Sequence, residues 1–162
     1  MPVPLLYSPG DILFYRRKPG DLVDTLISDI TASPFVHVGI AISGMQEIQA
    51  LFHGVILTAI DPPSDVWSYS ENVKSPDPAR MLEALAWLAG MCGRAYGWED
   101  IGNALLAKLI HGITIDVEDN LDCSSLATLF LLKAGNVTAL FDSPDPHSMT
   151  PGMLAGRLGI RP

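Results

Sequence analysis

The run Asp119-Asn120-Leu121-Asp122-Cys123-Ser124-Ser125-Leu126, continuing through Ala127-Thr128-Leu129-Phe130-Leu131-Leu132-Lys133 to Ala134-Gly135, decides how this chain is read. It predicts a helix with a cysteine in its first turn. Asp119, Asn120 and Asp122 are small polar residues of the kind that cap helix N-termini, Leu126, Leu129, Phe130 and Lys133 recur at helical spacing, and Gly135 is a C′ stop. A thiol held there faces unpaired backbone N–H groups and the positive end of the helix dipole, which favour the thiolate and lower its pKa. The same N–H groups suit an oxyanion, so one turn would supply a nucleophile and part of the charge stabilisation that acyl transfer needs. A lone cysteine in an apolar helix is more often a small buried hydrophobe. Cys123 departs from that pattern because it sits where the polar cap meets the apolar run. Nucleophilic use also requires a base.

Val36-His37-Val38-Gly39-Ile40-Ala41-Ile42 offers one. It reads as a strand that Ser43-Gly44-Met45 turns into a second strand over about 46–52. Val36, Val38, Ile40 and Ile42 share one face. His37, Gly39 and Ala41 share the other, so the imidazole stands on a face cleared of bulk. Antiparallel pairing brings Gln49 or Glu47 beside His37, and a polar neighbour there would fix the tautomer of the base. The ordinary alternative is a histidine satisfied by a backbone carbonyl.

Upstream, Ser8-Pro9-Gly10-Asp11 is turn chemistry leading into the buried strand Ile12-Leu13-Phe14-Tyr15. Leu22, Val23, Leu26, Ile27 and Ile30 then follow the helical period until Ser33-Pro34 stops the element. Residues 54–60 predict a third strand of a meander, and the path of the segment around Trp67-Ser68-Tyr69 stays open. Apolar Leu82, Leu85, Ala86, Leu88 and Ala89 predict a helix over 79–91, ended by Gly93. Cys92 would face the negative pole of that helix, so alkylation should reach Cys123 faster than Cys92. Residues 99–110 predict a further helix, and Tyr96 and Trp98 before it would line a cleft or plug the core.

With 162 residues, 48% of them hydrophobic, the chain fits a single domain, 1–162, with a sizeable core. The net charge of −8 and the absence of a basic cluster beyond Arg16-Arg17-Lys18 exclude a nucleic-acid backbone as partner. No apolar run is long enough to span a bilayer, and the start of the chain lacks the pattern of a signal peptide. Synthesis in the cytoplasm is the expectation, with Cys92 and Cys123 as free thiols. Cysteine and histidine spacing offers no metal site, and no cofactor is implied.

Asp122-Cys123-Ser124-Ser125-Leu126 resembles the Asp-Cys-Ser-Gly-Leu nucleophile motif of the NlpC superfamily of papain-like cysteine peptidases, with Ser125 where glycine is usual. His37-Val38-Gly39-Ile40 and Ile48-Gln49-Ala50 resemble its His-Val-Gly-Ile strand and the following Ile-His-Ala, which puts Gln49 at the third, orienting position. Gly10-Asp11-Ile12-Leu13-Phe14 is similar to its Gly-Asp-Leu-Val-Phe strand. The order, His37 before Cys123, is that of the circularly permuted branch, the YiiX-like hydrolases and their lecithin:retinol acyltransferase relatives. That branch also has an amphipathic insertion before the histidine, a Gly-x-x-Tyr turn and a late Thr-Pro-x-x-Leu. Here the matches are residues 21–30, Gly93 to Tyr96 and Thr150 to Leu154.

The resemblance implies an α+β, papain-like fold, circularly permuted, with an antiparallel sheet or small barrel packed against helices. It also implies a cysteine hydrolase that cleaves an amide bond through an acyl-enzyme on Cys123, with His37 as base and Gln49 orienting it. Tyr15, Tyr96 and Trp98 are the candidate substrate-binding residues. A peptide, muropeptide or acyl compound is the substrate class. A peptidoglycan substrate would need delivery by lysis, a phage particle or a secretion system, with an immunity or phage-structural protein as partner. Two rival functions are a lipid acyltransferase or thioesterase, and a phage-tail or secretion component whose site is vestigial.

Overall fold

The structure is a computed structural model, and it describes residues 7–51, 53–60, 66–70, 77–94, 122–135 and 149–160. Among these residues five antiparallel strands form one sheet: β1 (Ile12–Arg16), β2 (Phe35–Ala41), β3 (Gln46–Leu51), β4 (Gly54–Ala59) and β5 (Val66–Ser70), in the order β4-β3-β2-β1-β5. Among the described residues four helices accompany them: α1 (Leu22–Thr31), α2 (Pro78–Gly90), α3 (Cys123–Lys133) and α4 (Pro151–Arg157). The molecule is therefore α+β, with an antiparallel sheet packed against helices. The expected helix over 99–110 lies outside the described residues, as does the end of the Gly-x-x-Tyr turn.

The strand readings hold to within a residue or two. Alternation decides the faces of the sheet, because a strand buried on one side needs apolar residues at every second position. Ile12, Phe14, Val38, Ile40, Ile48, Ala50 and Val55 form one buried cluster with Leu88 of α2, Leu126, Phe130 and Leu131 of α3, and Leu154 of α4. Leu13, Tyr15 and Ala41 belong to a second cluster with Tyr7. The turn at Pro9-Gly10 ties the two central strands at their ends: the Gly10 N–H donates to the Ala41 carbonyl at 2.8 Å, and the Ala41 N–H to that of Asp11 at 2.9 Å. Gly10 holds φ 95°, which glycine adopts without steric cost.

The segment around Trp67-Ser68-Tyr69 proves to be the strand β5, paired with β1 from Ile12↔Ser70 to Tyr15↔Val66. Its valine and aromatic residues carried a β signal, but no local pattern says which strand such a run will join. α2 differs in its face. Asp77 caps it and Pro78 occupies its first turn, and the buried positions are Ala84 and Leu88, whereas Leu82, expected on the apolar stripe, is exposed.

α3 is buried on several sides, touching β2, β3, α2 and α4. That explains why its sequence lacks a polar stripe, since only a helix inside the protein can be apolar around most of its circumference. Two of its buried hydroxyls donate to backbone carbonyls. Thr128 donates to the Ser124 carbonyl at 2.7 Å, and Ser124 donates to the Met149 carbonyl at 2.6 Å, tying the start of α3 to the start of α4.

Candidate active site

Asp122 is the N-cap of α3, in extended conformation, and its carboxylate accepts from the Ser125 N–H at 2.6 Å. This cap sets the first turn and with it the place of Cys123. The sulfur is buried, and the N–H groups of Val38, Ser124 and Cys123 itself face it. Val38 is the neighbour of His37, at the point where the β2–β3 pairing, which runs from Ala41↔Glu47 to Gly39↔Gln49, comes to its end.

Those amides favour a thiolate, as expected from sequence. They are outweighed. Burial, and next the Asp122 carboxylate, push the Cys123 thiol up to about 12. The expected lowering of its pKa is thus overturned, because the helix start lies inside the protein and brings an acid with it. Burial also raises Asp122 itself, against the hydrogen bonds from Ser124 and Ser125. Both cysteines are free, and Cys92 is exposed.

On the other strand face, the His37 Nε2–H donates to Oε1 of Gln49 at 2.5 Å. With Nε2 carrying the proton of this bond, Nδ1 is the basic nitrogen of the neutral ring. Gln49 stands diagonal to His37 across the β2–β3 pair, a separation that a long side chain spans. Glu47, the alternative from sequence, reaches a different residue: the Tyr15 hydroxyl donates to its Oε1 at 2.6 Å. Tyr15 lies opposite His37 in the β1–β2 register, the two rings 5.6 Å apart between centroids.

The structure thus gathers His37, Gln49, Tyr15 and Glu47 on one face, and sets Cys123 against the backbone next to His37. Tyr15, expected as a wall of the site, is buried with its hydroxyl turned to Glu47. Tyr96 and Trp98 lie outside the described residues. The bond between Tyr15 and Glu47 was not foreseen. Its signal was present in the same-face positions of the two residues, but only the order of β1, β2 and β3 brings them within reach.

Among the described residues no three His, Cys, Asp or Glu side chains are grouped as metal ligands would be, and no helix is long and apolar enough to cross a membrane. Comparison of the chain with models of protein families and with curated proteins finds no match.

Proposed function

We propose that the protein is a cysteine hydrolase of the circularly permuted, papain-like NlpC type, which cleaves an amide bond in a peptide, with peptidoglycan stems as the leading substrate class. The observation that carries this reading is the 2.5 Å bond from His37 to Gln49, on a strand whose next amide faces the Cys123 sulfur. An oriented base, an orienting residue and a helix-start thiol are the parts that nucleophilic acyl transfer uses.

A thiol at about 12 is thiolate in roughly one molecule in 10⁵ at neutral pH, so attack must be coupled to proton removal. His37 Nδ1 takes the thiol proton as the sulfur bonds to the carbonyl carbon, and helix-start amides receive the developing oxyanion. The imidazolium returns that proton to the leaving amine as the C–N bond breaks, leaving a thioester on Cys123. Water then attacks the thioester with His37 again as base, and the acid and the thiol are released.

One observation favours a second reading. A thiol this buried and this strongly protonated is also what a structural cysteine looks like, as in an assembly protein with a vestigial site. Incubation with muropeptides, peptide amides and acyl esters separates the possibilities. Turnover of an amide that is lost in Cys123→Ala is the expected result, turnover of acyl esters alone would indicate a lipid acyltransferase or thioesterase, and no turnover with any of them would remove the hydrolase reading.

A further inference from the structure

Gln49 is neutral, so it orients His37 but places no charge against the imidazolium that forms when the thiol proton is taken. A carboxylate lies nearby. Glu47 is 1% exposed, and its side chain crosses over Gly39, where a methyl group would overlap the carboxylate. Gly39 is two residues from His37 on the same strand face, so the carboxylate sits about 6–7 Å along the strand from the His37 position. The Glu47 Oε1 accepts a hydrogen bond from the Tyr15 hydroxyl at 2.6 Å. Tyr15 in turn packs its ring on that of His37.

We propose that Glu47 is the charged positioning residue of His37, holding Tyr15 against the imidazole and supplying the negative charge that Gln49 lacks. Labour is divided between the two side chains of β3. Gln49 sets the tautomer through a direct bond, and Glu47 stabilises the protonated ring through space in an interior where salt screens little. Gly39 is glycine because any side chain there would displace the carboxylate. This gives the cleared face around His37 a use: the room is taken by Glu47.

The inference rests on His37 acting as the base, but its test reads His37 itself. Among the described residues, Tyr15 on β1 and Gln49 on β3 contact the His37 ring, Glu47 on β3 lies against Gly39, Arg16 ends β1, and Cys123 and Asp122 stand at the start of α3, which packs on β2. The other helices packed on β2 carry Asp24, Asp29 and Arg157. All of these except Glu47 are unchanged in Glu47→Gln, which also keeps an acceptor for Tyr15. Any change in His37 titration in that variant therefore reports the charge.

The experiment is a proton NMR titration of the His37 ring in the full chain, assigned with His37→Asn. The expected result is that His37 titrates at lower pH in Glu47→Gln than in the native protein, with Glu47→Asp closer to native. Turnover near neutral pH should fall about tenfold in Glu47→Gln with KM little changed. Tyr15→Phe keeps the ring and removes the hydroxyl that donates to Glu47, so it should shift His37 the same way by less, and it carries the test if Glu47→Gln does not fold. An unmoved His37 titration in whichever of these variants folds overturns the proposal. If the shift is present in a protein that turns over no substrate, the proposed function fails while this inference stands.

Discussion

Cys123 and Asp122 are adjacent acids at one buried helix start, and burial raises the pKa of each. Iodoacetamide at neutral pH should therefore label exposed Cys92 well before Cys123, the reverse of what helix position alone suggests. Mass spectrometry of the labelled peptides checks this. Asp122→Asn keeps a capping side chain but removes the negative charge beside the sulfur. It should raise the rate at which Cys123 labels, and failure to do so would mean that burial alone sets the thiol. Gln49→Ala addresses the other half of the site. Losing the bond to Nε2 frees the ring to rotate, so turnover should fall by roughly one to two decades, less than in Cys123→Ala or His37→Ala.

At the scale of elements, α3 is the piece on which the rest depends. Leu126 and Phe130 are fully buried between the sheet and the other helices, so Leu126→Ala should cost about 2–5 kcal/mol, measured by denaturant unfolding. A loss under 1 kcal/mol would mean that the α3 packing described here is wrong. The end of α1 carries a smaller defect: Ala32 sits in the left-handed region at φ 50°, a conformation glycine adopts more easily. Ala32→Gly should leave stability unchanged or raise it by up to about 1 kcal/mol, whereas most glycine substitutions lower it.

Across the whole molecule, the buried thiol links stability to pH. Cys123 is an acid whose folded pKa lies above its ordinary value, about 12 against 9.0. Between those two values the unfolded chain releases a proton that the folded chain retains, so stability falls as pH rises through the window. The loss is about 1.4 kcal/mol per pH unit from this group. Cys123→Ala should flatten the fall of the urea midpoint between pH 9 and 11 relative to the native protein. Parallel curves for the two proteins would show that the thiol is not buried as described.

The sequence by itself determined the strands β1 to β4, the hairpin turn at Ser43-Gly44, the capped helix starting at Cys123 and the pairing of His37 with a polar residue of the next strand. Each of these is local. A period of two or 3.6 residues, a turn residue or a cap acts over a few positions, and its signal is written in those positions. Tertiary structure decided what depends on neighbours distant in the chain. It made β5 the partner of β1, and it chose Gln49 over Glu47 for His37 because the strand register places Gln49 on that diagonal. It also reversed the reading of the thiol. The helix dipole is local and favours the thiolate, but desolvation depends on everything packed around the helix start, and here desolvation is the larger effect.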